Sequence, residues 1–133
     1  MVQARDGQIR YTTVMNEKLT PERKSQAESG KISLGQTERF DREGFYGLRY
    51  LEDGDGAGFG ALEVHVHDSH PEKTVQVQTR MYRVEEGAGT FMIDGKEFQA
   101  EPGDMFLIRL GSTYSYKGKM KLFEINIPLL KTE

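Results

Sequence analysis

Residues 102–114, PGDMFLIRLGSTY, decide the fold of this chain. The stretch opens with Pro, Gly and Asp, which are typical of a turn, and continues into the apolar run at 105–108. That run is long enough for a buried strand but too short for a helix. Upstream, Asp94-Gly95 is the strongest hairpin signal in the chain, with strand-like residues on both sides. This region therefore predicts short antiparallel strands.

The same pattern extends over most of the chain. Further runs of strand-like residues occupy 44–51, 61–67, 75–85, 114–116 and 120–127. Between them, turn residues cluster at 53–56, 68–71 and 87–89. Many short strands at regular spacing predict an all-β barrel or jelly roll.

The first 31 residues are polar and have a different character. Thr20 and Pro21 are typical of a helix start, and Gly30 would end that helix. We therefore predict an N-terminal arm at 1–31, with a short helix at most, followed by a single barrel domain at 32–130. A chain of 133 residues is the right length for one such domain.

Composition excludes several classes of protein. The net charge of −3 and the pI near 5.7 argue against nucleic-acid binding, which usually needs a basic surface. The chain has no cysteine, so it has no disulfide and no thiolate metal site, and we predict a cytoplasmic protein. The N-terminus has no apolar run of the length that a signal peptide or a transmembrane helix needs, so we expect no membrane association.

Residues 82–91, 93–98 and 102–114 resemble, in order and spacing, the two sequence motifs of the cupin superfamily and the hairpin between them. The resemblance implies a cupin-type double-stranded β-helix, a jelly-roll barrel, preceded by the short polar arm. It also implies a homodimer, for which Met81 and Met92 could supply apolar outer contacts. Cupins include isomerases, dioxygenases, lyases, storage proteins and sensor domains, so the fold alone does not assign a function.

The resemblance further implies a divalent metal held by two histidines on one strand, a glutamate on the next and a histidine from the second motif. In this chain the glutamate position falls on Arg80 and the last histidine position on Tyr114. A guanidinium cannot bind a cation as a ligand. In the alignment that we prefer, Gln76 and Gln78 take the places of the histidine pair. We therefore expect a barrel with a degenerate metal site and no metal cofactor.

A buried Arg80 would need a partner, because an unpaired buried charge is very costly. The partner could be Glu124 or an anionic ligand, since arginine suits planar recognition of carboxylate or phosphate. We therefore predict that the barrel binds a small polar metabolite, anionic or sugar-like, and we assign no catalytic residue. The predicted ligand-binding residues are Gln76, Gln78, Arg80, Tyr82, Tyr114 and Tyr116.

Other interpretations stay open from the sequence. His65 and His67, followed by Glu72, have the spacing of cupin metal ligands and would support a metal-dependent isomerase, lyase or oxygenase with a divalent transition metal. That alignment requires extra residues before Gly87. A third possibility is a non-catalytic regulatory or interaction domain that binds through its N-terminal arm. Arg80 could also be a structural ion pair, and the tyrosines could be core residues.

Overall fold

The structure, a computed structural model, describes residues 28–129. In this part of the chain it has two short 3-10 helices, Leu34–Gln36 and Asp53–Asp55, and eight strands. The strands are β1 Glu38–Asp41, β2 Phe45–Leu51, β3 Gly60–Val66, β4 Ser69–Thr74, β5 Gln78–Ile93, β6 Lys96–Ala100, β7 Met105–Ile108 and β8 Thr113–Pro128. The helix start predicted at Thr20 and Pro21 lies outside the described residues. None of the helices described is long and apolar enough to cross a membrane.

Two long strands, β5 and β8, organise the barrel. They pair antiparallel from Gln78 opposite Pro128 to Ile93 opposite Tyr114. One half of the pair continues through β3, β2 and β1 on one side and β7 on the other. The other half is flanked by β4 and β6. The long strands therefore pass from one wall to the other, which confirms the predicted jelly-roll barrel.

Glycine lets β5 bend without ending. The sequence predicts a turn at 87–89, but β5 runs through these residues to Ile93. The register with β8 shifts between Val84 and Glu86, and Gly87 has a φ of 87°. A Cβ on Gly87 would lie 2.1 Å from the carbonyl oxygen of Lys119. The predicted turn is therefore wrong, because the bulge precedes these glycines and pairing with β8 keeps residues 87–89 within the strand.

The segment before β5 also differs from the prediction. Residues 68–71 were expected to turn, yet Ser69–Thr74 is strand β4, paired with the first half of β8. Pro71 is accommodated where the register shifts between His70 and Lys73, since proline has no N–H to donate. Residues 75–77, expected within a strand, separate β4 from β5 instead.

Alternation along the strands separates the core from the surface. On β3, Leu62, Val64 and Val66 are buried in the barrel, while Glu63 and His65 between them are more exposed. At the centre of the core the ring of Phe91 stacks on Phe106, with their centroids 4.1 Å apart. The rest of the buried apolar core is Phe45, Val75, Tyr82, Val84, Ala100, Ile108, Tyr114, Tyr116, Met120 and Leu122.

Gly87→Ala is expected to destabilise the barrel more than Gly95→Ala. Both glycines have positive φ, which costs an alanine about 1–2 kcal/mol. At Gly95, however, a Cβ would meet no described heavy atom within 4 Å, whereas at Gly87 it would clash with backbone. Urea unfolding of both variants measures the difference. Equal losses of stability would contradict the close approach of β5 and β8.

Candidate ligand-binding site

Arg80 is a partly buried cation of the barrel interior. It lies on β5 between Ile108 of β7 and Asn126 of β8, and its side chain is 14% exposed. Its Nη1 donates a hydrogen bond of 2.6 Å to the hydroxyl of Tyr114, and its Nε donates one of 3.0 Å to Oε1 of Gln78. Tyr82 also interacts with the guanidinium, and no hydrogen bond from Nη2 within residues 28–129 meets the usual distance and angle. The guanidinium is therefore positioned by the protein with part of its donor capacity unused.

Glu124 is the buried anion opposite Arg80. Its side chain is 8% exposed, and its Oε2 lies 3.7 Å from Nη1 of Arg80. Burial raises the pKa of Glu124, whereas the charge of Arg80 and hydrogen bonds with Asn126 and Tyr82 lower it. The protein partner suggested for Arg80 from the sequence is thus close by. The 3.7 Å separation leaves it an ion pair without a direct hydrogen bond.

The tyrosine hydroxyls connect these two charges. The oxygens of Tyr82 and Tyr114 are 2.8 Å apart. The Tyr114 hydroxyl accepts from Arg80, either tyrosine can donate in the bond between them, and Tyr82 also interacts with Glu124. Burial raises the pKa of both tyrosines. They are therefore neutral hydrogen-bonding groups that lie between the cation and the carboxylate.

Two buried oxygens in the same region have unused hydrogen-bonding capacity. The hydroxyl of Tyr116 and Oδ1 of Asn126 are buried and make no hydrogen bond with any residue among 28–129. An unsatisfied buried polar group costs about 1–3 kcal/mol. Such groups are uncommon in folded proteins, where a bound molecule or water usually satisfies them. These oxygens are therefore available to a water molecule or to a polar ligand.

His70 adds a neutral acceptor. Its ring contacts those of Phe45, Tyr114 and Tyr116, with centroids 5.2, 5.2 and 4.9 Å away. Nδ1 lies 2.6 Å from the carbonyl oxygen of Pro71, and since a carbonyl only accepts, Nδ1 carries the proton. Burial, with the charges of Arg80 and Lys73, lowers the pKa of His70 to about 4. At neutral pH, Nε2 is therefore an acceptor, and it bonds to no described residue.

The sequence did not identify His70, because the residue was expected in an exposed turn. The register shift after His70 breaks the period-two pattern that would have placed it on an inward-facing strand. Gln76 shows the opposite error. It was expected beside Arg80 but is exposed in the bend before β5, where the neighbouring Val75 takes the buried position. Gln78, Arg80, Tyr82, Tyr114 and Tyr116 do come together.

The histidines of the metal alternative lie elsewhere. His65 is on the outer face of β3, with Nε2 2.9 Å from Oε1 of Glu63 and its ring stacked on Tyr46 at 4.5 Å. His67 is exposed beyond the end of β3. The alternation that buries Val64 and Val66 turns both imidazoles away from the barrel interior. Within residues 28–129, no three His, Asp or Glu side chains are grouped to hold a metal ion, so these residues do not fit one.

Comparisons with known proteins agree with this barrel. The family described as AraC-like ligand binding domain matches residues 61–118. Pac13 from Streptomyces, described as a nucleoside dehydratase, superposes with a TM-score of 0.69 at 19% identity, over 78% of this chain and 86% of Pac13. KdgF from Halomonas sp. gives 0.67 at 13% identity, over 78% and 97% of the two chains. An RmlC-like cupin from Shewanella frigidimarina gives 0.66 at 16%, over 80% and 96%. Curated protein sequences contain no significant match.

Proposed function

We propose, from the premise that this chain is a cupin with an AraC-like ligand-binding segment, that its barrel binds a small polar metabolite without the usual metal centre. The ligand is anionic or sugar-like. Arg80 binds its acidic or carbonyl oxygen, with Tyr114 and Gln78 holding the guanidinium in place. Tyr82 and Tyr116 line the same region of the barrel.

The observation that carries this proposal is the buried Arg80 with its unused Nη2 donors. Arg80 and Lys73 are cationic, Glu124 is the buried carboxylate, and His70 is neutral, so the cluster carries an excess of positive charge. Burial and the charge of Arg80 lower the pKa of Lys73, which indicates repulsion between the two cations. An anion would relieve that repulsion and complete the hydrogen bonds of Arg80 in a bidentate arrangement.

The unused acceptors suggest a second group on the ligand. Nε2 of His70, the hydroxyl of Tyr116 and Oδ1 of Asn126 can each accept a hydrogen bond from a hydroxyl or N–H. A ligand with an acidic group beside hydroxyls, such as a hydroxy acid, a sugar acid or a sugar phosphate, offers both. Pac13, whose barrel is similar, has been solved with uridine, a ligand that also carries sugar hydroxyls.

The test is a thermal-shift screen of the full chain with glucuronate, 6-phosphogluconate, ribose 5-phosphate, uridine, glucose and sulfate. A ligand at a hundred times its Kd stabilises the protein by about 2.7 kcal/mol. We expect the anionic compounds to bind and Arg80→Gln to weaken them roughly 10–150-fold, because hydrogen bonds to a charged group are worth about 1.5–3 kcal/mol.

Arg83→Gln is the matched control, since Arg83 lies on the same strand but is exposed. Equal affinity of Arg80→Gln and Arg83→Gln for every anionic compound would contradict the role of Arg80. Elemental analysis of protein purified without added metal tests the other half of the proposal. A stoichiometric transition metal would contradict a metal-free site.

The homodimer and the cytoplasmic location stay predictions. Met92 is exposed on β5, as expected for an outer contact, whereas Met81 is partly buried on the same strand. Beside Met81, strand β7 exposes Met105 and Leu107, and Leu107 is directly opposite Met81. Met81, Met105 and Leu107 are neighbours on β5 and β7, and they form the kind of apolar outer surface that a second copy of the chain could cover.

A further inference from the structure

We infer that Glu124 takes up a proton when an anion binds to Arg80, so that ligand binding is coupled to pH. The inference rests on the proposed function, because it concerns the same anion site. It assigns Glu124 a role beyond that of a permanent ion-pair partner. In the free protein Glu124 balances the charge of Arg80, and in the complex the ligand takes over that role.

The geometry brings the two anions into competition. Glu124 Oε2 lies 3.7 Å from Nη1 of Arg80, and both side chains are more than four-fifths buried. Any anion that bonds to the guanidinium must lie within a few ångströms of the Glu124 carboxylate. Two negative charges that share a buried site do not both remain ionised, and one takes up a proton. Glu124 is the group that yields, because burial already disfavours its charge.

The other groups that face Glu124 do not supply this proton. Its cross-strand partner on β3 is the apolar Leu62, and its partner on β5 is Tyr82. Burial raises the pKa values of Tyr82, Tyr114 and Tyr116, so these groups stay neutral at physiological pH.

His70, on β4, also stays neutral, because burial lowers its pKa to about 4. Asn126 does not titrate. Lys73 on β4 interacts with both Glu124 and Arg80 and is the one competing group.

The hydrogen-bond chain gives the protonated carboxyl a place in the network. With Glu124 ionised, hydrogen bonds join Arg80 to Tyr114 and Tyr114 to Tyr82, and the Tyr82 hydroxyl interacts with the carboxylate. A protonated Glu124 is itself a donor. It can then donate to the hydroxyl of Tyr82, and the guanidinium of Arg80 keeps the ligand rather than Glu124 as its counter-charge. Proton uptake therefore leaves the Glu124 side chain with a hydrogen-bonding partner in both states.

The sign of the effect follows from the charges. Burial raises the pKa of Glu124, and the positive charge of Arg80 lowers it. An anion bound to Arg80 offsets that positive charge, so the pKa of Glu124 rises further. Between the pKa of Glu124 in the free protein and its pKa in the complex, binding consumes one proton. The Kd for the anion rises there by up to about tenfold per pH unit. Below the free value and above the bound value, the Kd no longer depends on pH.

Sulfate is the probe of choice, because it carries the same charge throughout the pH range of interest. We would titrate the full-length protein with sulfate from pH 5 to pH 9 by calorimetry, in two buffers of different ionisation enthalpy. The expected result is a Kd that increases with pH and a measured uptake of up to one proton per sulfate. Because the wild-type protein provides this readout, the test does not depend on any variant folding.

Two variants separate Glu124 from Lys73. Glu124→Gln is expected to bind sulfate with a Kd that is flat across the range, while Lys73→Met binds more weakly but keeps the pH slope. Sulfate binding without proton uptake in the wild type, or a slope that survives in Glu124→Gln, would overturn the inference alone. If neither the wild type nor Glu124→Gln binds sulfate at any pH, the anion site itself is overturned, and this inference with it.

Discussion

Replacing Phe91 by alanine is expected to lower the free energy of unfolding by about 3–5 kcal/mol. Phe91 is 0% exposed, and its ring lies 4.1 Å from Phe106, 4.9 Å from Tyr116 and 5.5 Å from Tyr82 between centroids. Truncation would leave a cavity surrounded by three other rings. Rigid β-strand backbones restrict how far that cavity can collapse, so most of the packing energy is lost.

Met92→Ala is the matched control for this prediction. Met92 is the next residue on β5 and is 39% exposed, because alternation turns it to the outer face. We expect its loss to change the stability by about 0.5 kcal/mol, as for other surface positions. Urea unfolding monitored by tyrosine fluorescence measures both variants. Similar losses at the two positions would show that Phe91 is not the centre of the core.

Arg80→Met is expected to destabilise the protein by about 3–5 kcal/mol at neutral pH, because it leaves Glu124 buried without its counter-charge. The double variant Arg80→Met with Glu124→Leu should recover most of that loss, since apolar side chains can replace a buried ion pair at little cost. The cycle of single and double variants, measured by urea unfolding, gives the interaction energy directly.

The loss in Arg80→Met should also depend on pH. Without Arg80 the pKa of Glu124 in the folded state rises further above its ordinary value, because burial is no longer opposed by the guanidinium. A carboxyl whose pKa is raised in the folded state stabilises the protein below its unfolded-state pKa. That stabilisation is lost as the pH rises through the folded-state pKa. The variant should therefore approach wild-type stability in mild acid. A deficit that is constant with pH, or a double variant no more stable than the single one, would refute this account.

Much of the barrel could be predicted because its signals are local. Asp94-Gly95 forms a hairpin turn, with φ values of 50° and 83°, between β5 and β6. The apolar run Met105–Ile108 is strand β7. Both depend on residues next to one another in the chain, so the sequence was enough. The turn predicted at 87–89 is wrong because pairing with β8, which no local pattern reveals, keeps these residues within β5.

The site could be predicted only in part. Spacing within the cupin motifs correctly identified Arg80 and Tyr114 as neighbours, and they share a hydrogen bond although they are far apart in sequence. Charge balance identified Glu124 as a partner. Spacing also placed Gln76 in the cluster, where it is absent, and it left out His70, which contacts two of the cluster's tyrosine rings. Both errors come from the bend and register shift around β4.

Alternation and turn residues act over a few positions, and for this reason most strand positions, the hairpin and the barrel class could be predicted from the sequence. Burial, protonation and unused hydrogen-bonding capacity arise from contacts between strands distant in sequence. Burial lowers the pKa of His70 and raises that of Glu124, because β4, β5 and β8 enclose both side chains. Electrostatic free energies depend on that surrounding dielectric and on distances of a few ångströms, which a linear pattern does not specify.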